Sequence, residues 1–137
     1  MTDSELGFLA KRAMLNSYSP YSEFQVGAAL LSKDGRVFTG CNIENSSFSP
    51  TMCAERTAFS KAISEGVTEF SSIAVVGGKN GIIESFCPPC GVCRQVMKEF
   101  CSDDFKIILV GKNDELQIKT LSELLPFSFK PEYLEEN

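Results

Sequence analysis

Ile73-Ala74-Val75-Val76-Gly77-Gly78 is followed, after a turn, by Cys90-Gly91-Val92-Cys93-Arg94-Gln95-Val96-Met97-Lys98-Glu99-Phe100 and then by Phe105-Lys106-Ile107-Ile108-Leu109-Val110. The outer two runs are short, apolar and rich in β-branched residues, as in strands covered on both faces. The middle run puts Cys93, Val96, Met97 and Phe100 on one helical face. Strand, helix and strand in that order predict a parallel crossover.

Upstream, Gln25 to Ser32 and Val37 to Cys41 are β-like and flank Lys33-Asp34-Gly35-Arg36, where Asp-Gly signals a hairpin. Gly27 with Ala28 and Ala29 marks close packing on the first of these strands. Thr2-Asp3-Ser4-Glu5 is a capping box, and Leu6, Leu9, Ala10 and Ala13 recur at helical spacing after it. That helix is expected to run to Tyr18-Ser19-Pro20-Tyr21, because proline disfavours helix in the residue before it. A second helix begins at Cys53, with Ala54, Ala58, Phe59, Ala62 and Ile63 on its apolar face and Gly66 as its cap. Downstream, Leu116 to Lys119 is a last strand, and Thr120-Leu121-Ser122-Glu123 caps a short helix stopped near Pro126. The fold class is therefore α/β. The expectation is one mixed sheet of about five strands with helices on both faces, in a single domain over residues 1–137 with a mobile acidic tail from about residue 131.

Composition narrows the chemistry. The chain has 137 residues, 43% hydrophobic and 23% charged, which suits one globular domain. No run is long and apolar enough to span a bilayer, and the acidic N-terminus is unlike a secretory signal, so a cytoplasmic location is expected. The net charge of −5 and the lack of a basic cluster argue against a polynucleotide partner. With no histidine in the sequence, Ser-His-Asp and Cys-His catalysis are excluded, as are His-containing zinc sites. Proton transfer must fall to a carboxylate, thiol, Lys, Tyr or bound water.

The six cysteines are Cys41, Cys53, Cys87, Cys90, Cys93 and Cys101, and without a signal segment they favour metal or thiol chemistry over a disulfide framework. Cys87-Pro88-Pro89-Cys90-Gly91-Val92-Cys93 contains overlapping C-x-x-C pairs. Residues three apart on a helix share a face, which suits Cys90 and Cys93 as ligands of one ion. Two prolines put Cys87 on an extended path, about 9 Å from Cys90 at ~3.1 Å per residue. A catalytic zinc site takes three protein ligands and leaves one position to water. Cys53 completes such a set, and Glu55, two residues on, can handle that water's proton. Both ligand motifs open helices, whose N-termini stabilise thiolates. Arg56 and Arg94 each follow a motif and can donate to ligand sulfur. Two other readings remain open here. A redox pair needs only one C-x-x-C, and a closed structural site needs a fourth ligand, which Cys41 or Cys87 could supply.

Cys-Ala-Glu-Arg-Thr-Ala (53–58) and Pro-Cys-Gly-Val-Cys-Arg-Gln (89–95) together resemble cytidine deaminases of the small-subunit, homotetrameric type. The likeness extends to Tyr18–Ser22, Phe24–Leu30, Gly40–Asn45 and Glu123–Pro126, covering most of residues 6–129. It implies a three-layer α/β/α fold and hydrolytic deamination of cytidine and deoxycytidine in pyrimidine salvage. It also implies one Zn²⁺ per subunit on Cys53, Cys90 and Cys93, with Glu55 as proton shuttle. Phe24, Asn42 and Glu44 would cradle the nucleoside, with Asn42 and Glu44 on the ribose hydroxyls. The backbone at Ala54 would face the pyrimidine carbonyl, and Phe129 would reach a neighbouring subunit's base. Phe48 stands where such proteins often carry Tyr, and Cys87 is an additional thiol. Within the class, deamination of another amino-heterocycle such as blasticidin S is the alternative; outside it, a non-catalytic structural zinc protein.

Overall fold

The computed structural model describes residues 1–134. Five strands form one mixed sheet in the order β2-β1-β3-β4-β5. They are β1 (Phe24–Ser32), β2 (Val37–Cys41), β3 (Phe70–Lys79), β4 (Lys106–Val110) and β5 (Leu116–Thr120). The β3–β4 pair is parallel and the other neighbours are antiparallel. Between β3 and β4 runs α3 (Gly91–Phe100), the expected crossover helix. The remaining helices are α1 (Asp3–Met14), α2 (Ala54–Ser64) and the single turn α4 (Leu121–Leu124).

Strand alternation divides the core cleanly, because successive side chains point to opposite faces. Ala28, Leu30, Ile73, Val75, Ile107 and Leu109 face α2 and α3 and pack with Phe59 and Met97. Ala29, Ala74, Val76, Ile108 and Val110 face α1 and pack with Leu6, Ala10 and Met14. Both faces are thus covered, which is why the central strands read as unbroken apolar runs. The three layers are α1, the sheet, and α2 with α3.

Two glycines set the distance between layers. A Cβ on Gly27 would lie 2.1 Å from the Ala10 carbonyl oxygen, and one on Gly40 would lie 2.4 Å from the Ala54 carbonyl oxygen. Only bare backbone at these points lets α1 and α2 lie this close to the sheet.

Capping boxes close α1 at Thr2 and Glu5 and α4 at Thr120 and Glu123, as the sequence implies. The end of α1 differs from expectation. The helix stops at Met14, not at Tyr18, because Tyr18 pairs in parallel with the loop after β2. Its N–H donates to the Asn42 carbonyl at 3.0 Å, and its carbonyl accepts from the Glu44 N–H at 2.8 Å. Long-range backbone pairing here overrides helix continuation. The last strand gains Thr120 through its pairing with Lys106. Within the expected tail, Pro131–Leu134 forms a 3-10 turn, and residues 135–137 lie outside the described residues.

Gly40→Ala is expected to lower unfolding free energy by about 1–3 kcal/mol through overpacking. Gly91→Ala, where a Cβ meets nothing within 4 Å, is expected to leave stability unchanged or slightly raised; denaturant titration checks both. Burial pushes the Cys101 thiol up to about 12, whereas an unfolded thiol ionises near 8.5. Above that lower value the unfolded chain binds fewer protons, so stability falls as pH rises through this window. Cys101→Ala is expected to make the fall of unfolding free energy between about pH 8.5 and 11 shallower.

Candidate active site

Cys53 and Cys90 occupy the N-cap positions of α2 and α3, both in extended backbone and neither with a side-chain cap hydrogen bond. The first N–H groups of a helix have no intrahelical partner, and the dipole is positive at that end. Each thiol therefore sits where a thiolate is favoured. Cys93, one turn into α3, points back to the same spot and is 1% exposed.

The geometry fits a zinc ion. The Cys53 and Cys90 sulfurs are 3.8 Å apart and those of Cys90 and Cys93 are 3.7 Å apart. All three lie within 4.8 Å of one another. A tetrahedron with Zn–S arms of about 2.3 Å has S···S edges of about 3.8 Å, so the two edges that meet at Cys90 already have tetrahedral length. Among the described residues, Cys41 and Cys87 lie outside this convergent group. Cys87 instead lines the adjoining pocket beside Pro88.

Charge is arranged to match. The Cys53 thiol is lowered to about 5, first by a hydrogen bond from Cys93 and then by the Arg56 guanidinium. Cys93 is raised in turn by that shared hydrogen bond and by burial. Arg56 Nη2 lies 3.6 Å from the Cys53 sulfur and donates to the Thr51 carbonyl at 3.2 Å. Its Nε is buried without a hydrogen-bond partner. Attraction between the guanidinium and an anionic thiolate cluster offsets that desolvation.

Glu55 is 4% exposed. Burial pushes its carboxyl up to about 7, and the neighbouring Cys53 thiolate pushes in the same direction. A carboxyl tuned near neutrality suits a group that both takes and gives a proton.

A pocket of about 190 Å³ joins this cluster to a polar rim, its wall including Val26, Asn42, Glu44, Ala54 and Glu55. The Asn42 amide is heavily used. Its Oδ1 accepts from Val26 N–H at 2.9 Å and from the Ser17 hydroxyl, and its Nδ2 donates to the Phe24 carbonyl at 2.8 Å. One Nδ2 hydrogen remains for a ligand. Glu44 accepts from the Ser22 hydroxyl and from the N–H groups of Tyr21 and Ser22. The Ser22 hydroxyl first, then those N–H groups, hold the Glu44 carboxyl below the usual range. It stays an acceptor for hydroxyls.

Cys53, Ala54, Glu55, Cys90, Asn42 and Glu44 thus share one pocket. Phe24 starts β1 near its mouth, with its ring against Gly77 beside Cys87. Phe129 stands apart, 55% exposed and packed on Tyr133 with ring centroids 5.5 Å apart. Among the described residues, Arg94 makes its hydrogen bonds to the Pro89 and Leu124 carbonyls and none to sulfur. Ser17 and Ser22, which orient Asn42 and Glu44, escaped the sequence reading. Their partners lie 25 and 22 residues away, and no local pattern signals them.

Over residues 1–110 the sequence matches the family described as the cytidine and deoxycytidylate deaminase zinc-binding region. It is 47% identical over 125 residues to a cytidine deaminase of Sporosarcina psychrophila, covering 91% of this chain and 89% of that one. It is 51% identical over 123 residues to a cytidine deaminase of Halalkalibacterium halodurans, covering 90% of each. The crystal structure of a cytidine deaminase from Burkholderia pseudomallei superposes with a TM-score of 0.86 at 42% identity, over 94% of this chain and all of that one.

Metal analysis of cysteine variants checks the ligand set. Cys90→Ala and Cys93→Ala are expected to lose stoichiometric zinc, and Cys87→Ala to keep it, as measured by elemental mass spectrometry.

Proposed function

Because the chain belongs to the cytidine and deoxycytidylate deaminase zinc-binding family, we propose that it hydrolyses the exocyclic amine of cytidine and deoxycytidine. The products are uridine or deoxyuridine and ammonia. One observation carries this reading: a buried carboxylate, Glu55, stands beside three converging thiols at one end of a pocket whose rim carries Asn42 and Glu44.

Cys53, Cys90 and Cys93 hold one Zn²⁺ per subunit. When bound, the ion supplies Lewis acidity, making water a nucleophile near neutral pH. Glu55 is not a ligand and carries the proton, as the non-ligand glutamate does in zinc deaminases generally. It takes the proton that water releases and passes it to ring N3, which makes C4 more electrophilic. It then takes the remaining proton from the hydroxyl now on C4 and delivers it to the amine, which leaves as ammonia while the oxygen stays on C4 as the carbonyl. One residue acts as base and then acid, in keeping with a carboxyl raised toward neutrality and a chain lacking histidine. Arg56 steadies the Cys53 thiolate. The N–H groups that open α2 at Ala54 serve the pyrimidine carbonyl. Asn42 and Glu44 take the ribose hydroxyls, and Phe24 flanks the sugar at the pocket mouth.

The active unit is a homotetramer in which Phe129 of one subunit reaches the base held by another. Support comes from aromatic side chains left exposed on this chain: Phe48, Phe127 and Phe129. The substrate is a free nucleoside, because the Glu44 carboxylate would repel a phosphate beside the ribose. The net charge of −5 supports no nucleic-acid partner. No described helix is long and apolar enough to cross a membrane. The protein works in the cytoplasm, in pyrimidine salvage, as a single domain over residues 1–137.

Glu55→Gln is expected to retain zinc and the wild-type thermal midpoint while losing at least about 10²–10⁴-fold in kcat. Ammonia release from cytidine measures it; full activity in this variant would contradict the proton-transfer role.

A further inference from the structure

Arg94 is a cation near the N-terminal end of α3, where the helix dipole disfavours positive charge. No carboxylate lies within ion-pair distance of it among the described residues. Its guanidinium meets two backbone carbonyls instead. Nε donates to the Pro89 oxygen at 2.7 Å and Nη1 to the Leu124 oxygen at 2.6 Å. Pro89 is fully buried and immediately precedes the ligand Cys90. Leu124 ends α4, and the last carbonyls of a helix have no intrahelical partner. One rigid, planar group therefore fixes the approach to Cys90 relative to the start of the C-terminal segment. The next residue adds a second tie: Gln95 Nε2 donates to the Phe129 carbonyl at 3.2 Å.

We propose that Arg94 and Gln95 are positioning residues that clamp the segment Leu124–Phe129 to α3, so that zinc retention and the placement of Phe129 depend on each other. The clamp rests on the reading of Cys53, Cys90 and Cys93 as the zinc site and goes beyond it. Neither residue touches metal or substrate. Arg94 acts through the backbone entering Cys90, and Gln95 through the backbone of Phe129. Coupling of this kind is reciprocal: what loosens the segment must loosen the metal, and removing the metal must loosen the segment.

Two readouts on the intact zinc-loaded protein test it: the rate of zinc transfer to a chromogenic chelator, and amide hydrogen exchange over residues 121–134. In the wild type, removing zinc is expected to speed exchange in that stretch while leaving the β1–β2 hairpin unchanged. Arg94→Ala is expected to speed zinc release on the order of 10–100-fold, the usual effect of losing a supporting partner, and to raise exchange in the same stretch. Arg94→Lys keeps the charge but not the fork, so it is expected to behave like Arg94→Ala. Gln95→Ala is expected to raise exchange around Phe129 and to raise KM for cytidine with kcat unchanged. Equal exchange with and without zinc, wild-type zinc release in Arg94→Ala, or full rescue by Arg94→Lys would each overturn the clamp. A wild-type protein that bound no zinc would overturn the metal site itself, which the elemental measurement separates from failure of the clamp alone.

Discussion

Three sulfurs held within 4.8 Å of one another are the constraint on which the rest of the site depends. As thiolates they repel, and only a shared cation and a supply of N–H donors make their convergence favourable. The fold provides the donors by directing two helix N-termini at one point, from α2 beside β2 and from the crossover helix α3. Gly40 lets α2 lie against the sheet at contact distance, so a packing detail on β2 decides where Cys53 and Glu55 stand. Arg56 adds the charge that three anionic ligands on one divalent ion leave uncompensated.

The same arrangement puts two carboxylates of one pocket in contrasting environments. Glu55 sits one position into α2 and is buried, whereas Glu44 is half-buried at the rim and accepts hydrogen bonds from Tyr21 and Ser22. Burial raises the first carboxyl and donors lower the second. Two glutamates of identical intrinsic acidity are thereby shifted in opposite directions, which suits the first to the proposed proton transfer and the second to the proposed role of acceptor. Asn42 lines the same pocket, and its amide ties the loop after β2 to β1 through Val26 and Phe24.

Much of this was legible in the sequence, for identifiable reasons. The runs at 73–76 and 105–110 announce buried strands, and α3 between them announces the crossover. Helical spacing singled out Cys90 and Cys93, whose sulfurs lie 3.7 Å apart. Where the reading failed, long-range pairing was responsible. The end of α1 yields to the bridge between Tyr18 and Ile43, and β3 extends well beyond its apolar centre because the nine-residue β1 pairs along it. Ser17, Ser22 and the carbonyl partners of Arg94 were invisible because each contact spans 22 or more residues or goes to backbone. Sequence periodicity reports burial; it carries no record of which distant carbonyl a polar side chain meets.

Catalysis at this cluster requires an open metal site, with three cysteine ligands and one position left to water. X-ray absorption at the zinc K-edge of the loaded protein tests this most directly. Three sulfur neighbours at about 2.3 Å and one oxygen neighbour at about 2.0 Å are expected. Four sulfur neighbours, with Cys41 or Cys87 closing the tetrahedron, would contradict it and leave a structural site in place of a catalytic one.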